Sequence, residues 1–190
     1  MNEPTPRYWA IFFELYESLP RQGPGSRACA ARALDLCRDL TRSPMVLDLG
    51  CGVGAQTLHL AELLPGALIT AVDSHAPSIE RLRATVADHG LGARVRPVVG
   101  NMAEPMMPPD SVDLIWSEGA LYNVGIEKAL RICRGLLRPG GCLAFTDAVW
   151  RKEDPPAEVR ESFADYAGMG RTSDILGMVR RGRDDLESAE

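Results

Sequence analysis

The sequence predicts an α/β fold, a doubly wound sheet of five mainly parallel strands, on three observations. From Pro44 onward, apolar runs of strand length alternate with stretches of helical periodicity across short connections, the pattern of parallel strands joined by helical crossovers. The run Val46-Leu47-Asp48-Leu49-Gly50-Cys51-Gly52-Val53-Gly54 carries apolar residues into an acid and then three alternating glycines, as a buried strand does when it ends in a turn whose backbone lies against a ligand. The 190 residues, 45% of them hydrophobic, suffice for one substantial core and a helical appendage.

Tyr8, Phe12, Leu15 and Leu19 recur at helical spacing with Trp9, Phe13 and Tyr16 beside them, so residues 7–19 read as an amphipathic helix rich in aromatics. It is expected to pack against the sheet rather than to line a pocket. Leu19-Pro20-Arg21-Gln22-Gly23-Pro24-Gly25-Ser26 is a loop ending in a good helix N-cap, and a second helix is expected to run to about Thr41. Strands are expected near 45–49, 68–73, 94–99, 111–117 and 141–149. Helices are expected near 55–65, 75–89 and 125–137, ended by Pro65-Gly66, His89-Gly90 and Arg138-Pro139-Gly140-Gly141. The charged tail from Arg151 passes Pro155-Pro156 and supports helices around 156–167 and 172–181. The chain thus divides into a helical cap with a lid loop (1–43), a core (44–150) and a helical tail (151–190), within one domain overall.

The 21 basic and 26 acidic residues leave a formal charge of -5 without a dense basic block, so nucleic acid is not an expected partner. No apolar stretch approaches the roughly 18 to 20 residues that span a bilayer, so no membrane association is expected. Cysteines at 29, 37, 51, 133 and 142 form no Cys-x-x-Cys pair, and their odd number without a secretory leader points to free thiols and a cytoplasmic protein. His, Cys and carboxylate residues do not cluster, so no metal site is expected.

The helical stretch that follows the glycines should turn its first amide N–H groups toward the ligand. Gly50-x-Gly52-x-x-Ala55 fits a dinucleotide fingerprint, which keeps a nucleotide-dependent oxidoreductase open as an alternative. Asp48, however, is out of place beside a pyrophosphate and suited to a ligand carrying an ammonium group. Asp73 ends the second strand, with Ser74 beside it, where a carboxylate can accept hydrogen bonds from both ribose hydroxyls. Together the two acids describe a nucleoside with a cationic amino-acid tail.

The glycine run resembles the first motif of the class I S-adenosylmethionine-dependent methyltransferases, and later landmarks follow in the family's order. Asp73 matches its ribose-binding acid, Val99-Gly100-Asn101-Met102 its adenine-side turn, Asp113-Leu114-Ile115-Trp116-Ser117 its fourth strand, and Leu136-Leu137-Arg138-Pro139-Gly140-Gly141 the turn before its fifth. The stretches from Phe13 through Gly25 and from Trp116 to Asn123 also resemble a narrower bacterial group of small-molecule methyltransferases. The resemblance implies a Rossmann-like core that binds S-adenosylmethionine, yields S-adenosylhomocysteine and methylates a small molecule. It places Gly50, Cys51, Gly52 and Gln56 around the methionine part of the cofactor, with Asp48 acting through the loop or a water. Asp73 and Ser74 fall at the ribose, Asn101 and Met102 at the adenine, and Ser117 near the methyl group. Asn101 stands where aspartate is commoner, and its amide oxygen can still accept the adenine amino group's hydrogen bond.

Glu118 and Tyr122 are the catalytic candidates. Glu118 is read as general base, as holder of a cationic substrate, or simply as a favourable charge at a helix start, and Tyr122 as pocket wall or core. Tyr16, Arg21, Gln22 and Asn123 are candidates for a substrate surface or lid. The family's sheet finishes with an antiparallel strand pair for which this chain leaves no segment, so a truncated or altered C-terminal region is expected. The fifth strand must then be covered by the tail helices or paired in a homodimer, and a non-catalytic cofactor-binding protein stays open as a second alternative.

Overall fold

The computed structural model describes residues 5–164, 166 and 168–187. Two helices, α1 (Pro6–Ser18) and α2 (Arg27–Leu34), precede β1 (Met45–Leu49), α3 (Ala55–Leu63), β2 (Leu68–Asp73), α4 (Ala76–Asp88), β3 (Val95–Val99) and β4 (Val112–Glu118). A short 3-10 turn (Leu121–Asn123) then leads to α5 (Ile126–Leu136), β5 (Leu137–Thr146), α6 (Ala157–Ser162) and α7 (Thr172–Glu187). The strands form one sheet in the order β3-β2-β1-β4-β5, with every pairing parallel, as the expected doubly wound arrangement requires.

Successive residues of β1 serve opposite faces of the sheet. Val46 joins Ile69, Leu114 and Trp116 beneath Ala30 of α2, Leu60 of α3 and Ile79 and Leu82 of α4. Leu47 and Leu49 join Ile115 and Leu121 beneath Ala129 and Cys133 of α5. Leu47, Leu60, Ile79, Leu82, Leu114 and Ile115 are wholly buried, each stabilising the fold by about 1.5–3 kcal/mol relative to exposure. Buried Asp113 accepts the Met45 N–H at 2.6 Å and pairs with Arg138 at 2.7 Å, clipping β1, β4 and the start of β5 together. No described helix is long and apolar enough to cross a membrane.

Three expectations are corrected. β5 starts at Leu137, inside the expected turn, because Leu137 already pairs with Val112; the register then jumps to Leu114↔Cys142, and the intervening Pro139-Gly140-Gly141 forms an irregularity, with Gly140 at φ +80°. The second helix stops at Leu34 rather than Thr41, where Leu36 and Cys37 close tighter i→i+3 turns onto Ala33 and Leu34. The aromatic helix α1 does not pack into the core, since none of its residues is buried; Tyr8, Trp9, Ile11 and Leu15 are all exposed and its rings stack chiefly on one another. It is held by its C-terminal end instead. Phe13 stacks on His75 with centroids 4.4 Å apart, Glu17 pairs with the same imidazole at 2.7 Å, and Arg81 donates to the Glu17 and Leu19 carbonyls. At the other end of the chain α7 packs against α5, with Arg181 paired to Glu127 at 2.7 Å, and no strand follows β5 among the described residues.

Candidate functional site

β1 ends between β2 and β4, at the point where the strand order reverses, and the glycine run carries the chain from there into α3. Gly50 and Gly52 have φ of +71° and +54°, and a side chain at either would collide, at Gly50 with Ala120 and at Gly52 with the Gln22 amide. Met102 also lies over Gly50, so the loop is a narrow cradle whose walls come from Ala120 after β4, Met102 after β3 and Gln22 of the loop between α1 and α2.

The glycine loop spends its own N–H groups within the fold. Gly50 and Cys51 both donate to the Val72 carbonyl (2.8 and 3.1 Å), Gly52 to Asp73 Oδ2 (2.8 Å) and Gly54 to the Cys51 carbonyl (2.9 Å), because the loop folds back onto the end of β2. Val53 N–H goes instead to a side chain from outside the sheet, Gln22 Oε1, at 3.1 Å.

The two acids keep the places expected of them. Asp48 is completely buried on β1; its Oδ2 accepts the Thr57 hydroxyl at 2.6 Å, while its Oδ1 is buried with no hydrogen-bond partner. Burial pushes its carboxyl up to about 7, helped by the nearby Glu118 and Asp73 charges and opposed by the Thr57 hydroxyl and the Gln56 amide beside it. A buried anionic oxygen without a donor is costly unless a cation or donor arrives, which fits the ammonium of an amino-acid tail. Asp73 holds the Gly52 and His75 N–H groups, each at 2.8 Å, and stays half-buried at the rim, where its remaining lone pairs can take ribose hydroxyls. Ser74 beside it is exposed. The orphaned Asp48 oxygen, the glycine cradle and the rim position of Asp73 therefore fit the cofactor that the sequence suggests.

The neighbouring candidates divide into braces and surface residues. Gln56 is buried and donates to the Cys51 carbonyl at 3.1 Å, fixing the loop. Cys51 turns its side chain into the core, where burial pushes the thiol up, so it is no nucleophile. Ser117 donates to the Leu49 carbonyl at 2.8 Å and ties β4 to β1. Asn101 is exposed, and its amide oxygen caps its own turn on Ala103 N–H at 2.9 Å. Asn123 is exposed and donates to the Ala120 carbonyl at 3.0 Å.

Arg21, Gln22, Tyr16 and Glu118 meet over the strand ends. Glu118 is nearly buried; one carboxylate oxygen pairs with Arg21 and the other accepts the Trp116 indole N–H at 3.0 Å. Arg21 also donates to the Gly23 and Pro24 carbonyls, folding its own loop around it, and its Nη1 is buried without a partner. Gln22 bridges from Val53 N–H to the Tyr16 carbonyl, to which its Nε2 donates at 3.1 Å. Tyr122 stands apart from this group and stacks on Tyr166 with centroids 4.1 Å apart, while the Tyr166 hydroxyl bonds to Asp147. Between α2 and β5 lies a cavity of about 370 Å³, lined by apolar side chains such as Ala33, Leu36, Trp116 and Phe145 and reaching Glu118 and Thr146 at its polar end.

Sequence reasoning missed Gly25, Ala120, Asp147 and Tyr166. A side chain at Gly25, whose φ is +129°, would strike both Arg21 and Glu118, so this glycine is what lets the ion pair form. Its position in the Gly23-Pro24-Gly25 run is the one available signal. Tyr166 carries no local signal at all, because its contact arises only when the tail folds back to put Trp150 N–H on the Gly170 carbonyl.

A family model described as "Methyltransferase domain" matches residues 46–141. The chain is 33% identical over 115 residues to dimethylglycine N-methyltransferase of Parasynechococcus marenigrum, covering 60% of this chain and 41% of that protein. It is 34% identical over 131 residues to methyltransferase GfsG of Streptomyces halstedii, covering 66% and 46%. The matches thus span less than half the length of these two relatives. Among solved structures, geranyl diphosphate C-methyltransferase of Streptomyces coelicolor superposes with a TM-score of 0.72 at 17% identity, over 89% of this chain and 68% of that one. Phosphoethanolamine N-methyltransferase 2 of Haemonchus contortus, in complex with S-adenosyl-L-methionine, gives 0.76 at 19% identity over 93% and 42%. With the ordered motifs, the reversed sheet and its glycine cradle, this chain belongs to the methyltransferase domain family, within the class I S-adenosylmethionine-dependent methyltransferases.

Proposed function

We propose that the protein transfers a methyl group from S-adenosylmethionine to a small-molecule acceptor. The observation that carries this reading is the cleft at the end of β1. There a glycine cradle, a buried carboxylate with an orphaned oxygen and a rim carboxylate correspond in turn to the methionine part, its ammonium and the ribose of that cofactor. When bound, the cofactor supplies an electrophilic methyl on sulfur, displaced in line by an acceptor lone pair. The protein's part is positioning and exclusion of water more than strong acid–base chemistry.

Within that part Asp73 orients the ribose, Met102 packs on the adenine side, and Gly50 and Gly52 let the backbone approach closely. Asp48 offers its buried oxygen to the ammonium. Glu118 has both oxygens committed to Arg21 and Trp116, so the geometry supports a latch for the lid loop better than a general base. The acceptor is a small molecule: the cavity beside Glu118 has the volume typical of such pockets, and the dimethylglycine, geranyl diphosphate and phosphoethanolamine enzymes among the similar proteins are named for small acceptors. β5 is the outer strand with an unpaired edge, and a homodimer joined through that edge belongs to the same reading. Incubating the protein with isotopically methyl-labelled cofactor and fractionated metabolite pools tests the activity. Label appearing in a low-molecular-weight product supports it, and purified, folded protein that binds the cofactor yet labels no pool favours the non-catalytic alternative.

A further inference from the structure

Two buried side-chain atoms near the cradle lack partners, and their charges are opposite. Asp48 Oδ1 is an acceptor on β1; Arg21 Nη1 is a cationic donor brought by the lid loop to the end of β4, the strand beside β1. Gln22, next to Arg21 in the chain, fills the space above Gly52, accepts the Val53 N–H and keeps one of its two amide protons free after donating to Tyr16. Neither orphan is explained by the fold itself. A buried guanidinium nitrogen without an acceptor carries a desolvation cost that only an arriving anion removes. A ligand end that bears both an ammonium and a carboxylate would satisfy both orphans at once, and a methionine tail is such an end.

We infer that the lid loop, through Arg21 and Gln22, supplies the carboxylate half of the cofactor's amino-acid subsite, opposite Asp48. Glu118 is the positioning residue that holds Arg21 there. This rests on the cofactor reading above but assigns residues that lie outside the Rossmann-like core. The loop is fixed for the task at both sides: Glu118 and Gly25 seat Arg21, while the Arg81 bonds to Glu17 and Leu19 anchor the loop's entry on α4. A ligand lacking the amino-acid tail gains nothing from Arg21 or Gln22.

The test compares S-adenosylhomocysteine with 5′-methylthioadenosine, which keeps the nucleoside and loses the tail, by titration calorimetry on wild type, Arg21→Met, Gln22→Ala and Glu118→Gln. Arg21→Met is expected to weaken S-adenosylhomocysteine by about 10- to 100-fold, the range for a lost charge-assisted hydrogen bond, and 5′-methylthioadenosine by less than about 3-fold. Gln22→Ala, a half-buried loop position that leaves the core untouched, is expected to do the same more weakly, at about 5-fold. Glu118→Gln should follow Arg21→Met in direction, a selective effect that a merely structural role would not produce. Equal losses for both ligands, or unchanged affinity for both, in folded Gln22→Ala and Arg21→Met would overturn the inference while leaving cofactor binding intact. Failure of the wild type to bind either ligand would overturn the cofactor reading itself, and this inference with it.

Discussion

Asp48 and Asp73 do different work because one is sealed and the other sits at the rim. Asp73→Ala removes a carboxylate that also holds the Gly52 and His75 amides, and should weaken S-adenosylhomocysteine by about 1–3 kcal/mol; unchanged affinity in the folded variant would remove Asp73 from the ribose. Asp48 makes a prediction in pH. Its folded carboxyl titrates near 7 against 3.8 for the free group, so the folded state binds the proton more tightly than the unfolded state does. Its contribution to stability is therefore greatest below pH ~4, falls by up to ~1.4 kcal/mol per pH unit as pH rises toward 7, and is constant above. Asp48→Asn should flatten that slope in denaturant titrations, and a slope unchanged by the substitution would contradict the buried-acid picture. An ammonium seated beside Asp48 favours its ionised form, so cofactor binding near pH 6–7 should release a proton. Calorimetry in buffers of differing ionisation enthalpy measures that release, which Asp48→Asn should abolish.

The strands and crossover helices were readable in the residues because burial imposes the pattern. β1, β2 and β4 are largely apolar runs with an acid at or next to their last residue, and α3, α4 and α5 begin and end within a residue or two of their cap, glycine and proline signals. Where local sequence and tertiary pairing compete, the reading failed. Arg138-Pro139-Gly140-Gly141 looks like a turn and is absorbed into β5 as an irregularity, since Leu137 pairs with Val112 before it. The aromatic stripe of α1 has the spacing of a core helix, yet its partners are its own rings and His75, which periodicity cannot reveal. The acids and glycines of the cradle were identifiable by type and spacing. The lid's ion pair was not, because Arg21 and Glu118 are far apart in the chain and joined only by the fold. Gly25 makes that pair possible, so Gly25→Ala should unseat Arg21 and lower stability by about 1–2 kcal/mol, with weaker S-adenosylhomocysteine binding. A variant as stable and as tight-binding as wild type would show that the loop tolerates a side chain there.

The assembled sheet places the reversed strand order, the cradle and the cap at one end, and leaves β5 as an outer strand at the other side. Among the described residues no strand pairs beyond β5, and the proposed homodimer through that edge predicts a light-scattering mass of about twice the 20.7 kDa chain; a monomer at working concentration would refute it. The amides of the glycine loop are taken up by Val72, Asp73, Cys51 and Gln22. Whether the cleft takes a methyl donor or a dinucleotide can be tested without knowing the acceptor. Parallel titrations of the purified chain with S-adenosylhomocysteine and with nicotinamide dinucleotides should show saturable binding of S-adenosylhomocysteine alone. Selective binding of a dinucleotide, with none of S-adenosylhomocysteine, would contradict the assignment of the cleft to a methyl donor.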